Sequence, residues 1–235
     1  MRLTSDYHTH TQYSKNNHGK DSVQEMVKIA EEKGIENYGI SDHGPKHFLF
    51  GIKSKNISKE KAELNALKSQ TNLNLFFGIE ANLCGKNGEI DLSNEQIKQF
   101  DHILVGFHRG VLNNFYSPLR ALINPEKQIE ISTNAYLNCL DKYKVFAITH
   151  PNTYIKVDIA KIAKKAKEKG TYIELNNKHL NFDEKEAKIL KDSGCLFLVS
   201  SDAHKKENIA RVDNVFEFIK KYDIPLDRIV NVEEN

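Results

Sequence analysis

Short apolar runs alternate with amphipathic segments along the chain, and the two patterns predict strands and helices in turn. After an opening strand that ends at Asp6, apolar side chains recur at helical spacing over residues 23–33. Ser22 and Glu25 form a capping box for this helix, and Gly34 is its stop. Further apolar runs of strand length lie at 38–40, 73–79, 103–107, 145–148, 172–175 and 196–200. Seven strands alternating with helices are typical of parallel βαβ units.

The helices predicted between the later strands have recognisable ends. A lysine-rich segment, 58–70, predicts a helix with one solvated face. Asp158 and Asp183 are predicted N-caps, and Gly170 and Gly194 are the corresponding stops. The last helix has one apolar face, made by Val212, Val215, Phe216 and Ile219.

Polar residues follow most of the apolar runs, and their distribution decides between two folds. An open, doubly wound sheet would place its ligand at a single switch point. Here reactive residues follow six of the runs. These positions are the C-terminal ends of the predicted strands, where barrel active sites are built. We therefore expect an α/β fold with a TIM-like barrel, in one domain spanning residues 1–235, because no linker or low-complexity tract interrupts the pattern.

The composition predicts a soluble globular protein. Residues are 39% hydrophobic and 28% charged, and a formal net charge of +2 favours neither nucleic acid nor a membrane surface as a partner. No apolar run approaches the roughly 20 residues of a spanning helix. Asp6 comes too early for a signal peptide. Three scattered cysteines without a CxxC motif favour the cytoplasm and no disulfide framework. The oligomeric state stays open.

Histidines and carboxylates recur at the predicted C-terminal strand ends. They are His8, His10, His43, Glu80, His108, His150, Asp202 and His204, with His18 as a ninth candidate in the loop after the first strand. Imidazole and carboxylate ligands without thiolate suit zinc, manganese or iron. A catalytic zinc ion takes about three protein ligands, so nine candidates are consistent with three ions and a bridging carboxylate. Asp6 and Asp42 each lie beside a histidine whose ring they could orient.

Each candidate also has a structural explanation. A single histidine is more often a loop or core residue than a ligand, Glu80 could be a helix-cap partner, and Asp202 could be the N-cap of the last helix. The histidines assigned structural or solvent-exposed positions are His47, His102 and His179. These explanations treat the residues one by one and do not account for their common location. A metal centre is therefore favoured.

Together the motifs resemble the PHP family, named for polymerase and histidinol phosphatase. In chain order they are Asp6-Tyr7-His8-Thr9-His10, Ser41-Asp42-His43, Gly78-Ile79-Glu80-Ala81-Asn82, Gly106-Phe107-His108, Thr149-His150-Pro151 and Ser201-Asp202-Ala203-His204. Segments 88–91 and 173–177 look most like the compact, stand-alone bacterial phosphatases of that family. The resemblance extends from Asp6 to about Val232. It implies a distorted seven-stranded (β/α)7 barrel holding three divalent metal ions, usually zinc.

The resemblance also implies how the ligands are shared among the ions. One ion would take His8, His10, Glu80 and Asp202; a second Glu80 as the bridge, His108 and His150; the third His18, His43 and His204. Glu80 and Asp202 are accordingly predicted to be catalytic residues. Arg109 follows His108 at a strand end, and the related phosphatases carry a different residue there. It is a candidate clamp for a phosphate group, or else a solvated residue paired with an acid such as Asp91.

Three divalent ions outweigh two carboxylates in charge, so the predicted centre would attract an anion. We expect a metal-dependent phosphatase that hydrolyses a small phosphomonoester by in-line attack of metal-activated hydroxide. A phosphodiesterase or exonuclease of the same family is the main alternative, although no basic groove with interleaved aromatic residues indicates nucleic acid. An amidohydrolase-type hydrolase and a non-catalytic metal-binding domain are weaker alternatives. Substrate choice is expected to lie in loops 47–55 and 112–124.

Overall fold

The computed structural model describes residues 1–111 and 115–234, and strands and helices alternate through them. The strands in this part of the chain are β1 (Arg2–Leu3), β2 (Ser5–Asp6), β3 (Asn37–Ile40), β4 (Asn74–Asn82), β5 (His102–Gly106), β6 (Ala147–Ile148), β7 (Tyr172–Asn176), β8 (Phe197–Ser200) and β9 (Val232–Glu233). The helices are α1 (Val23–Glu32), α2 (Ser54–Leu67), α3 (Asn94–Ile97), α4 (Pro118–Ile123), α5 (Pro125–Lys142), α6 (Ile159–Lys169), α7 (Glu184–Ser193) and α8 (Asp213–Tyr222).

Strands β2 to β8 form one sheet in chain order, and each strand is parallel to the next. The sheet curls until its first and last strands meet. Just beyond β2 and β8, Thr9 and Ala203 form an isolated parallel bridge, and the His10 backbone N–H donates to the Ala203 carbonyl at 2.8 Å. The predicted seven-stranded α/β barrel is confirmed, and its C-terminal strand ends meet at one mouth.

A side-chain amide completes the seam between β2 and β8. Asn231 is buried, and its Nδ2 donates to the carbonyls of Ser5 (2.6 Å) and Val199 (2.7 Å). Its Oδ1 accepts from the Val199 backbone N–H at 2.9 Å. Strands β1 and β9 pair antiparallel, Arg2 opposite Glu233, and bring the segment with Asn231 to this position. One asparagine therefore supplies bonds that the two-residue strand β2 cannot make.

His102 is a structural residue of the core. Its Nε2 lies 2.9 Å from Ser41 Oγ and 3.2 Å from the Tyr7 carbonyl oxygen. Gly78 on the neighbouring strand leaves room for the ring, since a Cβ at that position would lie 2.1 Å from His102 Nε2. Burial lowers the pKa of His102 to about 4, so the ring is neutral at neutral pH.

The predicted signals at helix starts are reproduced. Ser22 Oγ accepts from the Glu25 backbone N–H, and the Glu25 carboxylate accepts from the Ser22 backbone N–H. Asp183 and Glu186 form the same reciprocal box at the start of α7, and Asp158 accepts from a first-turn N–H of α6. These side chains satisfy backbone donors that a helix start leaves free.

Four of the described helices differ from the sequence-based expectation. Helices α3 and α4 were not predicted, and α4 lies inside the predicted loop 112–124. The lysine-rich helix α2 spans 54–67, not 58–70. Helix α5 was not predicted, because its buried face includes the polar side chains of Gln128, Ser132 and Thr133, which hide the apolar spacing. Residues 112–114 of the predicted substrate loop lie outside the described residues. No described helix combines the length and apolar character needed to cross a bilayer.

Candidate metal centre

Glu80 lies at the middle of the polar cluster at the barrel mouth. Strand β4 continues beyond its predicted end, so Glu80 lies within the strand and is fully buried. Its Oε2 is 2.9 Å from His43 Nδ1 and 3.4 Å from His8 Nε2. Its Oε1 is 2.8 Å from His150 Nε2 and 3.1 Å from His108 Nε2. The two carboxylate oxygens therefore face different sets of histidines.

Asp202 completes the set predicted for the first ion. Its Oδ1 lies 3.3 Å from His10 Nε2 and 3.8 Å from His8 Nε2, and Glu80 Oε2 lies 3.8 Å from His10 Nε2. In a tetrahedral zinc site with bonds of about 2.0–2.1 Å, ligand atoms lie about 3.3 Å apart. The four side chains have the spacing of a single cation site.

The other two predicted sets are also compact. His108 Nε2 and His150 Nε2 are 3.2 Å apart beside Glu80 Oε1. His18 Nε2 lies 3.2 Å from His43 Nε2 and 2.7 Å from His204 Nε2. The ring of His18 stacks on Phe50 with centroids 3.9 Å apart, which fixes the loop that carries it. The structure thus brings all nine predicted ligand side chains to one place.

The sets overlap at two histidines. Three triads have their ligand atoms within 4.8 Å of one another in the described residues: His8, His10 and Asp202; His10, His43 and His204; and His43, Glu80 and His108. The first triad lies within one predicted set. The other two cross between sets, because His10 and His43 each lie beside two groups of donors. The cluster is continuous, as closely spaced cations require.

Several buried polar atoms in this cluster have no hydrogen-bond partner among the described residues. Those at the centre are His8 Nε2, His10 Nε2, His43 Nδ1, Glu80 Oε2 and Asp202 Oδ1. Leaving such atoms buried and unpaired costs roughly 1–3 kcal/mol each. All are lone-pair donors of the type that zinc, manganese and iron accept. The donor set therefore fits divalent cations.

Two of the predicted ligands, His8 and His108, make a hydrogen bond with the ring nitrogen that faces away from the cluster. His8 Nδ1 donates to Glu174 Oε1 at 2.5 Å, and His108 Nδ1 donates to Asn82 Oδ1 at 2.8 Å. Such contacts fix the tautomer and turn Nε2 inward. Glu174 was missed by sequence reasoning, although an acidic residue inside an otherwise apolar strand was the available signal.

The two aspartates predicted to orient histidines differ in their contacts. Asp42 Oδ1 lies 3.6 Å from His10 Nδ1. Asp6 accepts instead from Ser201 Oγ (2.5 Å) and from the Ala210 backbone N–H. Asp6 therefore ties the start of the barrel to the loop after β8, and Glu174 is the residue that contacts the ring of His8.

The pKa shifts in the cluster follow from burial and from the neighbouring charged groups. Burial alone would raise the pKa of Glu80, but the neighbouring rings of His108, His8 and His43 outweigh it and hold that pKa well below its ordinary value. Burial lowers the pKa of His108 to about 3, and burial with the adjacent histidines lowers that of His18 to about 2. The lowered pKa keeps Glu80 an anion, the form that binds metals. The pKa values of His8, His10 and His150 are raised instead, by neighbouring carboxylates and despite burial, so a cation bound there would displace their protons.

Two of the predicted ligands have unusual backbone conformations. His150 has φ of 29° and Asp202 has φ of 52°, in the left-handed region that side chains disfavour. Strain of this kind costs roughly 1–3 kcal/mol and is concentrated at functional sites. The proposal that Asp202 caps the last helix is excluded, because α8 starts at Asp213 with Val212 as its N-cap.

A cavity of about 330 Å³ opens above the cluster. Its walls include residues that were not predicted to be ligands: Arg109, Lys178, His47, His179 and Tyr154. Lys178 Nζ contacts the Asp202 carbonyl oxygen and lies 2.6 Å from His204 Nδ1. His47 and His179, assigned to structural or exposed positions from the sequence, in fact border this cavity, which has the size of a small-molecule site.

The PHP domain family model matches residues 6–178, most of the chain. The chain belongs to the PHP family. A relative named probable phosphatase from Acetivibrio thermocellus is 32% identical over 98% of this chain and 92% of its own length. A probable phosphatase from Shewanella pealeana is 30% identical over 98% of this chain and 89% of its own. Both alignments cover nearly the whole of this chain, beyond residues 6–178 of the family match.

A solved structure shares the barrel fold described above. The histidinol phosphate phosphatase from Lactococcus lactis, complexed with zinc, L-histidinol and phosphate, superposes with a TM-score of 0.59. The match covers 94% of each chain at 14% sequence identity. At that identity the likeness concerns the barrel alone, and it confirms the predicted fold.

Proposed function

We propose that this PHP protein hydrolyses small phosphomonoesters at a centre of three divalent cations, with zinc as the expected metal and manganese or iron as alternatives. The observation that carries the proposal is the group of buried, unpartnered donor atoms around Glu80 and Asp202. Family membership and its phosphatase relatives place the chain among metal-dependent phosphatases. The number of ions and the ester class are the parts that we add.

The ligands proposed for each cation are those implied by the resemblance to the PHP family, and the close spacing of the donor atoms supports them. His8, His10, Asp202 and Glu80 would hold one ion, His108, His150 and Glu80 a second, and His18, His43 and His204 a third. Bound cations of this kind lower the pKa of water and offset the charge of phosphoryl oxygens. Glu80 would join two ions, because its oxygens face opposite sets of histidines and its negative charge lowers their mutual repulsion.

Residues on the cavity wall would bind the rest of the substrate. Arg109 is exposed directly after His108, and its planar guanidinium can donate to two phosphoryl oxygens at once. Lys178 adds a second cation at the opposite, His204 side of the cluster. The cavity of about 330 Å³ lies in the size range of small-molecule sites. These features favour a small anionic phosphate ester over a polymer.

An assay of ester classes tests this proposal. A chromogenic phosphomonoester should be hydrolysed after reconstitution with zinc or manganese, and EDTA and inorganic phosphate should inhibit the reaction. The matched phosphodiester should react more slowly, and lactones and cyclic amides should be inert. Faster turnover of the diester would support the phosphodiesterase alternative. Turnover of lactones or amides without any phosphate ester would place the protein with amidohydrolase-type enzymes.

A further inference from the structure

Glu60 is a buried acidic residue in the lysine-rich helix α2. Its side chain is 1% exposed, and it faces the loop that follows His10. Thr11 Oγ1 lies 2.8 Å from Glu60 Oε1 and 2.6 Å from Asp42 Oδ2. The Glu60 and Asp42 carboxyl groups are themselves in hydrogen-bonding contact. A second buried carboxyl group therefore lies directly behind Asp42.

The donors in this pocket are too few for two ionised carboxylates. Asp42 Oδ1 accepts from the Thr11 backbone N–H at 2.9 Å and from Ser14 Oγ at 2.5 Å. The Thr11 hydroxyl has a single proton but faces both Asp42 and Glu60. One more proton is needed, and two carboxyl groups in contact supply it when one of them stays protonated.

The charges around Glu60 identify which carboxyl keeps the proton. Asp42 faces it from the end of β3, and Glu63 lies one turn further along α2, where its carboxylate accepts from Tyr13 Oη at 2.8 Å. Burial, followed by the charge of Asp42, raises the pKa of Glu60 well above its ordinary value. Asp42 accepts from three donors, the Thr11 backbone N–H, Ser14 Oγ and the Thr11 hydroxyl, and hydrogen bonds of this kind favour the charged form of a carboxyl group. Glu60 is the acid and Asp42 the anion.

We propose that Glu60 is a positioning residue that remains a neutral carboxylic acid, donates its proton to Asp42, and thereby holds Asp42 against the segment that carries His10. Asp42 binds the Thr11 backbone directly and lies 3.6 Å from His10 Nδ1. The proton stays on a Glu60 oxygen, and no bond is made or broken. The role rests on the proposed metal centre, because His10 is one of its predicted ligands.

An infrared difference spectrum of the zinc-reconstituted protein tests the protonation. At neutral pH, wild type minus Glu60→Gln should contain the carbonyl band of a protonated carboxyl group. The control variant Glu63→Gln, on the same helix, should keep the band. Absence of the band from wild type, or its persistence in Glu60→Gln, would overturn the assignment. The spectrum does not depend on catalysis. It therefore tests the protonation of Glu60 even if the proposed phosphatase function is wrong.

The pH dependence of stability is a second measurement that needs no activity. Unfolded Glu60 loses its proton near its ordinary pKa of 4.5, whereas the folded protein keeps it. The unfolded state then binds fewer protons, so wild-type stability falls relative to Glu60→Gln as the pH rises above that value. As the pH rises towards neutral, the melting temperature of Glu60→Gln should therefore increase relative to that of wild type. A difference that is constant with pH would contradict the proposal.

Positioning is tested by two substitutions of similar size. Glu60→Gln keeps a donor for Asp42 and should keep zinc affinity and kcat/KM close to wild type. Glu60→Met removes the donor and should weaken zinc binding or activity by about 10- to 100-fold, the usual effect of losing a residue behind a ligand. Equal behaviour of the two variants would show that Glu60 only fills space. If Glu60→Met does not fold, the infrared spectrum and the pH dependence of the melting temperatures still test whether Glu60 is protonated.

Discussion

Replacing Glu80 with glutamine should lower kcat/KM by about a thousandfold or more, which is roughly 4 kcal/mol of transition-state stabilisation. The amide keeps the shape of the side chain and can keep its bond to Thr149 Oγ1, now 2.8 Å from Oε1. It removes the negative charge that lies between the histidine sets. Two closely spaced cations would then repel each other without compensation.

The measurement for Glu80→Gln is the steady-state rate on a phosphomonoester, together with metal content and the circular dichroism spectrum. The fold should be unchanged, and one or more ions should be lost. Glu130→Gln is a matched control, since it makes the same chemical change at an exposed ion pair with Lys127 on α5. Near-normal turnover with full metal content in Glu80→Gln would show that Glu80 is only a structural residue.

Arg109→Ala should cost about 2–4 kcal/mol of transition-state stabilisation, the scale of losing one preorganised donor to a developing anion. Arg109 borders the cavity beside His108. The alternative partner, Asp91, is buried and already accepts from the Asn82 side-chain amide and the Lys46 backbone N–H. The arginine is therefore not needed to satisfy Asp91.

Arg109→Lys separates charge from geometry. A lysine ammonium is a point charge and cannot reproduce the bidentate contact of a guanidinium, so it should restore only part of the lost rate. Metal content must equal that of wild type in both variants, because the comparison concerns substrate and not ligands. Wild-type kcat/KM in Arg109→Ala would end the clamp hypothesis.

The barrel could be predicted because its strands are short apolar runs with polar residues at one end. This pattern placed His8, His43 and His108 at a common edge before any distance was known. The spacing of residues in the sequence could not predict that Glu80 lies next to both sets of histidines. It depends on how β4 lies between β3 and β5 and on the extension of β4 to Asn82.

The features that were missed are polar groups in positions where periodicity predicts apolar ones. Glu174 lies within β7 and contacts His8, and Glu60 lies on the buried face of a helix whose lysines suggested only solvation. Helix α5 was missed for the same reason at Gln128 and Ser132. A linear pattern shows that a residue is polar, whereas its partner is known only after folding.

The way in which the barrel closes could not be predicted from the sequence either. The seam uses Asn231, whose single side chain replaces strand hydrogen bonds between Ser5 and Val199. No periodic pattern marks such a residue, because its partner Ser5 lies 226 residues away in the chain. Two-residue strands such as β1 and β9 are likewise too short to produce a recognisable alternation.

Elemental analysis of protein purified without chelator is the most direct test of the proposed centre. The nine clustered ligands predict about three divalent first-row metals per chain, since a catalytic ion takes about three protein ligands and one carboxylate is shared. Zinc is the expected metal, and removal by a chelator followed by zinc or manganese should restore both the content and the phosphomonoesterase rate. A content of one ion or none after reconstitution, in folded protein, would contradict the three-metal centre.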